Sequence, residues 1–238
     1  PEIAEHFADA VEKGFRESPQ VDLESLSDYE QMKSKLSMEV VSAEKNAELL
    51  ESVPHERMED MAVVYRFVLD QTDSGNGTIL VTNQLLDQYG ITKEQLRADA
   101  MENAPEIRPS EIRGMSEVMS ELAPGMIPEV APEDEQMFVA TVPDKIHGAG
   151  VIAYPNFMED AAEKMGGDFF VLPSSIHEVL LVKDNGQMTA KELENMVKEV
   201  NATQVEPADQ LTDHVYHYDS QNHIFELADK YEERQREE

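Results

Sequence analysis

The chain has 238 residues, and its fifty acidic residues against nineteen basic ones give a formal net charge of −31. This charge repels nucleic-acid phosphates and anionic membranes, so we expect no direct binding to DNA, RNA or a membrane. The sequence has no cysteine, which excludes disulfides, thiolate metal sites and a cysteine nucleophile. No apolar run approaches the roughly 20 residues that span a bilayer. Together these features predict a cytoplasmic protein.

Residues 1–60 carry the spacing of helices, because apolar residues recur there every three or four positions. The three predicted stripes are Ile3, Phe7, Val11 and Phe15, then Tyr29, Met32 and Leu36, then Ala43, Ala47 and Leu50. The apolar content of these stripes is thin. We therefore interpret residues 1–60 as an N-terminal helical segment that packs on the main domain.

Strand signals begin at residue 61. Residues 62–69 are β-branched and aromatic, and a turn with two glycines at 73–77 separates them from Thr78–Val81, which predicts a hairpin. Further pairs of strands are predicted at 137–142 with 149–154, at 169–182 around a Pro-Ser-Ser corner, and at 215–218 with 223–227.

Helices are predicted between these strands. Asn83, Thr92 and Thr189 are suitable helix N-caps, and Gly90 and Gly166 are suitable stops. The alternation of hairpin and helix predicts an α+β domain over residues 61–228. Its sheet is expected to be mainly antiparallel, with about six to eight strands.

Two segments fall outside this pattern. Residues 123–136 are rich in proline and acidic residues, which predicts an exposed linker within the domain. Residues 229–238 form a charged tail that we expect to fray.

Four segments of the sequence carry a family resemblance. They are Asn83–Thr92, Gly148–Pro155, Leu172–Val179 and Glu199–Thr203, and the Pro-Ser-Ser-Ile-His-Glu-Val part is the most specific. They resemble a bacterial family of unknown function that is common in anaerobic gut bacteria, over residues 45–228. That family has no established activity, so the resemblance implies no catalytic residue.

The most suggestive polar cluster is Ser174, Ser175, His177 and Glu178. A serine hydrolase needs a serine hydroxyl beside a base, and a carboxylate that orients the base. In a strand, however, His177 and Glu178 point to opposite faces, and no Gly-x-Ser-x-Gly motif is present. The favoured interpretation is a turn in which Pro173 fixes φ and a serine hydroxyl bonds to nearby backbone.

A metal site is the second possibility, at His214, His217 and His223, with Asp213 and Asp219 nearby. Imidazole and carboxylate groups suit zinc and similar ions. Residues three apart in a strand lie on opposite faces, however, so His214 and His217 would not chelate one ion together. Cross-strand polar pairs are commonplace and are the favoured explanation of these residues, so we expect no metal and no cofactor.

The sequence favours a non-enzymatic protein-interaction domain whose partner is a basic protein. Met115 and Met119, beside the predicted linker, are candidates for contacting that partner, because methionine is common on adaptable binding surfaces. Two alternatives stay open: a hydrolase that uses Ser174 or Ser175 with His177, and an acidic nucleic-acid mimic that inhibits a DNA-binding protein. Nothing in the sequence indicates the oligomeric state.

Overall fold

The structure, a computed structural model, describes residues 26–72, 75–126 and 130–237. The predicted helical stripe from Ile3 to Phe15 lies outside the described residues. Within them, the strands form two antiparallel sheets, one of four strands and one of six. The protein is therefore an α+β protein, as predicted, although its strands are divided between two sheets where we expected one.

The first sheet is built around one long strand. It contains β1 (Leu36–Ser42), β2 (His55–Met58), β3 (Met61–Thr72) and β4 (Gly75–Leu80). β1 pairs along one edge of β3, while β2 and β4 share the other edge. β3 and β4 form the predicted hairpin, and residues 73–74 of its turn lie outside the described residues.

The second sheet has the strand order β10-β9-β7-β8-β6-β5. Its strands are β5 (Glu111–Gly114), β6 (Met137–Thr141), β7 (Phe169–Leu172), β8 (Val179–Lys183), β9 (Tyr216–Asp219) and β10 (Ile224–Leu227). β7 and β8 are the strands predicted on either side of the Pro-Ser-Ser corner. β9 and β10 form the closing hairpin that the sequence predicted.

The helices connect and cover these sheets. They are α1 (Tyr29–Met32), α2 (Ala47–Ser52), α3 (Asn83–Tyr89), α4 (Lys93–Ile107), α5 (Met115–Leu122), α6 (Phe157–Met165), α7 (Ala190–Thr203) and α8 (Ala228–Glu237). Short 3-10 helices lie at Lys33–Lys35 and Gly148–Ala153. None of the helices in the described part of the chain combines the length and apolar character that crossing a bilayer requires.

Local capping explains where several helices begin and end. Thr92 accepts a hydrogen bond from the backbone N–H of Gln95, and Thr189 forms a reciprocal capping box with Glu192. Gly166 ends α6 in the left-handed conformation. These three signals act as predicted. The cap of α3 is Thr82 and not the predicted Asn83.

The main core lies between the two sheets. A single cluster of buried side chains includes Tyr65 and Phe67 from the first sheet and Phe169 and Leu181 from the second. The opposite face of the second sheet is covered by α7, whose Leu193 and Val197 pack on Phe170 and Val182. The opposite face of the first sheet is covered by α2, whose Leu50 packs near Ala62 and Val64.

The helical prediction for residues 1–60 is wrong at His55–Met58, which is β2, and at Leu36–Ser42. This segment is β1, which pairs with β3 over seven residues from Leu36 opposite Phe67 to Ser42 opposite Met61. Leu36 follows Tyr29 and Met32 at helical spacing, but almost every side chain of the segment is buried. Tertiary pairing therefore overrides the local periodicity.

Two further segments differ from prediction. Residues 149–154 were expected to form a strand, but Gly148–Ala153 is a 3-10 helix that packs against β1. The charged tail forms α8 because it has partners on the second sheet: the Tyr231 ring stacks on His217, and Arg234 pairs with Asp219 and Glu226.

Candidate functional site

The corner between β7 and β8 is held by backbone hydrogen bonds. The N–H of Ile176 donates to the Asp209 carbonyl at 2.8 Å, and the N–H of Leu211 donates to the Ser174 carbonyl at 3.1 Å. The Ser175 hydroxyl accepts a hydrogen bond from the backbone N–H of His177 at 3.0 Å. The corner is thus a turn stabilised by a serine hydroxyl, in the manner the sequence suggested.

Both ring nitrogens of His177 face protein groups. Nδ1 accepts a hydrogen bond from the backbone N–H of His147 at 3.1 Å, so the proton of the neutral ring lies on Nε2. Nε2 lies 3.4 Å from Asp209 Oδ2. Glu178 is exposed. In the described part of the chain no serine hydroxyl bonds to the His177 ring, so the geometry gives the hydrolase alternative no support.

A second histidine lies beside His177, with their ring centroids 5.5 Å apart. His147 Nδ1 is 2.7 Å from Glu39 Oε1, and Glu39 Oε2 accepts a hydrogen bond from Arg66 Nε at 2.7 Å. Burial alone would raise the pKa of Glu39, but the hydrogen bond from His147 and the Arg66 charge outweigh burial and lower it. Glu39 is therefore a buried, ionised carboxylate.

Two glycines allow the 3-10 helix at Gly148–Ala153 to lie close to β1 and to the corner between β7 and β8. A Cβ at Gly148 would overlap the Thr141 hydroxyl and would lie 2.6 Å from the His177 carbonyl oxygen. A Cβ at Gly150 would overlap the carbonyl oxygen of Met38 in β1. Glycine at both positions lets the 3-10 helix touch β1 and the corner together, which places His147 between Glu39 and His177.

His147 and His177, here called the histidine pair, join the two sheets through their carboxylate partners Glu39 and Asp209. Glu39 belongs to β1 of the first sheet, whereas His177 immediately precedes β8 of the second. The two histidine side chains are about one-third exposed. Structurally the pair is a polar bridge between the sheets.

The other candidate histidines do not come together. His214 lies 3.0 Å from Asp60, His217 lies 3.0 Å from Asp184, and His223 lies 3.5 Å from Glu159. His217 is fully buried under the ring of Tyr231, and its hydrogen bond to Asp184 is the main reason that the pKa of that carboxyl is lowered. Among residues 26–72, 75–126 and 130–237, no group of three or more His, Asp or Glu side chains is arranged to hold a metal ion.

Exposed apolar side chains are concentrated around α5. Of the six large apolar residues that are exposed in the described ranges, four lie between residues 119 and 130. We call these four residues the α5 surface: Met119, Leu122, Met126 and Val130. Leu122 is 77% exposed and Met126 is 81% exposed, and α5 contains no buried residue. The predicted contact residue Met119 belongs to this surface, whereas Met115 is half-buried.

The remaining two exposed apolar residues of the described ranges, Ile107 and Ile146, lie in segments that the Arg108 side chain connects. Arg108, which follows Ile107, donates a hydrogen bond to the Ile146 carbonyl and pairs with Asp144. The pKa of Glu121 on α5 is lowered, mainly by hydrogen bonding from Arg113 and to a smaller extent by the charge of Lys145. The turn that carries Ile146 therefore lies near α5.

Of the histidine pair and its two carboxylate partners, only His177 was predicted from the sequence. Glu39 was assigned to a helix, and its contact with His147 spans 108 positions of the chain. Asp209 lies in a segment without a recognised motif. The available signal was His147 itself, which directly precedes the Gly-Ala-Gly run of one of the four resemblance segments.

Two antiparallel sheets with helices against them define the class of this protein as α+β. The chain belongs to the family of unknown function DUF5688, whose model matches residues 1–220. This match confirms the resemblance to a family of unknown function. No curated protein and no solved structure matches the chain significantly.

Proposed function

We propose that this protein is a protein-interaction domain and that the α5 surface is its contact with a partner. The observation that carries this proposal is the concentration of exposed apolar side chains on and after α5. Single exposed apolar residues are ordinary on protein surfaces, whereas several of them within one short stretch of chain favour an interaction site. Methionine suits such a site because its flexible side chain adapts to a partner.

The charge around the α5 surface favours a basic partner. Residues 104–136 contain eight acidic and two basic residues, and these acidic residues outnumber the three lysines that approach them from other described segments, Lys145, Lys164 and Lys183. Arg113 is already engaged, since it forms ion pairs with Glu117 and Glu121 on α5. An apolar centre with an acidic rim is complementary to an apolar group flanked by lysine or arginine, and the charges would also accelerate association. The location of the protein in the cytoplasm stays a prediction.

Site-specific photo-crosslinking in the native cell tests this proposal. A photoreactive amino acid is placed at Leu122, and in a separate variant at Ala202, an exposed position on α7. We expect one predominant adduct at position 122 with a protein of positive net charge, and no such adduct at position 202.

The substitution Met119→Ser in the Leu122 crosslinking variant should reduce the yield of that adduct. The same diffuse adducts at positions 122 and 202 would refute the α5 surface as the contact. Loss of the adduct on addition of duplex DNA would point instead to nucleic-acid mimicry.

A further inference from the structure

A polar cavity of about 550 Å³ lies where the first sheet meets α7. Its walls come from the end of β1, the turn between β2 and β3, α7, and residues 210–214 before β9. None of these residues belongs to the α5 surface or to the histidine pair. The volume is within the range of about 300–1,000 Å³ that is typical of small-molecule sites.

Two acceptor oxygens in the cavity wall have no hydrogen-bond partner among the described residues: Asp60 Oδ1 and Asn201 Oδ1. Both side chains are held firmly by Thr212. Its hydroxyl donates to Asp60 Oδ2 at 2.6 Å, and its carbonyl accepts a hydrogen bond from Asn201 Nδ2 at 2.9 Å. Asn201 is only 5% exposed, and buried acceptors of this kind normally have a donor. Both oxygens are closed to water in this conformation, so a ligand donor reaches them only after a small movement of the wall side chains.

The same wall carries charged side chains of both signs: Lys45 and Lys198, and the carboxylates Glu44, Asp213 and Asp60, of which Asp60 also lies 3.0 Å from His214 Nδ1. Lys45 donates a hydrogen bond to Gln210 at 2.8 Å, and Lys198 pairs with Glu194. A lysine ammonium has three donors, so Lys45 and Lys198 can each bind an additional acceptor. The cavity can thus satisfy a ligand that has donors at one end and an anionic acceptor at the other.

We propose that this cavity binds a small molecule with a primary ammonium group, of which an α-amino acid is the simplest class. The ammonium donates to Asp60 and Asn201, and the carboxylate lies toward Lys45 and Lys198. The negative charge of Asp60 favours a cation over an uncharged hydroxyl. Because the two oxygens are withdrawn from solvent, a compact ammonium reaches them more easily than a planar guanidinium.

The direct test is an NMR titration of the full chain, uniformly labelled with ¹⁵N, with three probes: L-serine, N-acetyl-L-serine and glycerol. We expect L-serine to produce saturable shifts of amides near residues 42–45, 60 and 198–214, with roughly millimolar affinity or better. N-acetyl-L-serine lacks the ammonium and should bind at least tenfold more weakly. Absence of saturable L-serine shifts, or equal binding of N-acetyl-L-serine or glycerol, would overturn the proposal.

Two variants locate the binding. Asp60→Asn keeps the shape of the side chain and removes its charge, and should weaken L-serine binding at least tenfold. Lys198→Met should weaken it severalfold, whereas Lys191→Met should not. Lys191 is the matched control because it lies on the same helix and pairs with the same Glu194 but does not line the cavity. If Asp60→Asn perturbs the fold, the comparison of Lys198→Met with Lys191→Met is the deciding measurement. Equal affinity of these two variants for L-serine contradicts the assignment.

Discussion

At the scale of single residues, Glu39 is an ionised carboxylate in a buried strand. Burial of a charge is costly unless hydrogen bonds and opposite charges compensate for it. Arg66 and His147 provide this compensation from two directions, one within the first sheet and one from the 3-10 helix. Replacement of the carboxylate by an amide would leave a single acceptor oxygen for these two groups and would remove the charge that both of them face.

We predict that Glu39→Gln lowers the free energy of unfolding at neutral pH by about 2 kcal/mol, since hydrogen bonds to a buried charge are lost. The folded-state pKa of Glu39 is lowered. Its stabilisation is therefore present above the pKa of the unfolded chain and is lost as pH falls through the folded-state pKa. Denaturant unfolding at a series of pH values should show the two proteins converging at acidic pH.

The matched control for this experiment is Glu56→Gln. Glu56 also pairs with an arginine, Arg97, but both side chains are substantially exposed. Glu56→Gln should change the free energy of unfolding by less than about 0.5 kcal/mol. A loss as large as that of Glu39→Gln would show that burial of Glu39 is not the cause.

Gly150 gives a second prediction at this scale. Gly150→Ala places a Cβ against the Met38 carbonyl, so we expect a loss of about 1–3 kcal/mol in unfolding free energy. At Gly77 a Cβ would make ordinary contacts of 3.6 Å with Leu69, and Gly77→Ala should change stability by less than about 0.5 kcal/mol. Chemical denaturation measures both, and equal effects would contradict the close approach at Gly150.

At the scale of elements, α7 has fully buried apolar residues whereas α5 leaves its own at least partly exposed. α7 begins with a capping box and buries Leu193 and Val197 against the second sheet. α5 also has an apolar side but contains no buried residue. The apolar residues of α7 therefore stabilise the fold, whereas those of α5 are available to a partner.

The same substitution in the two helices tests this difference. Leu193→Ala should lower the free energy of unfolding by about 3 kcal/mol, because a fully buried side chain is removed. Leu122→Ala should change it by less than about 0.5 kcal/mol, since that side chain is 77% exposed. Denaturant unfolding under one set of conditions measures both. A loss above 1 kcal/mol for Leu122→Ala would mean that α5 is part of the core.

The elements that the sequence predicted well are those determined by neighbouring residues. Thr189 and Glu192 specify the start of α7, and the β-branched and aromatic run at residues 62–69 lies within β3 as predicted, although Gly75 and Gly77 belong to β4 and not to the turn. β1 could not be predicted in this way, because Glu39 and Ser37 are buried by pairing with β3 and not by any local pattern. Long-range pairing of this kind leaves no periodic trace in one sequence.

The candidate site could also be predicted only in part, because its long-range contacts have no local sequence signal. The sequence identified His177, and it predicted that a serine hydroxyl would stabilise the corner, as Ser175 does. The partners of His177 are a backbone N–H thirty positions away and an aspartate in an unpatterned segment. Residues 149–154 suggested a strand, whereas Gly148 and Gly150 serve the close backbone approach of a 3-10 helix to His177 and Met38.

At the scale of the whole molecule, a net charge of −31 surrounds a small exposed apolar group. Charge of this sign suppresses association with other acidic surfaces and accelerates encounters with basic ones. In the proposed complex the apolar residues would determine the lifetime, because truncation of central apolar contacts mainly increases the dissociation rate. Higher salt should therefore slow association with the partner more than it speeds dissociation.

The most direct test of the proposed function is the affinity for the partner that crosslinks to position 122, measured by isothermal titration calorimetry. The double variant Met119→Ser with Leu122→Ser should bind at least tenfold more weakly than the unmodified chain, which corresponds to about 1.4 kcal/mol. Val205→Ser, a half-buried apolar position beyond α7 and outside the α5 surface, is the control and should bind unchanged. Unchanged affinity of the double variant, with its fold intact, would contradict the α5 surface as the binding site.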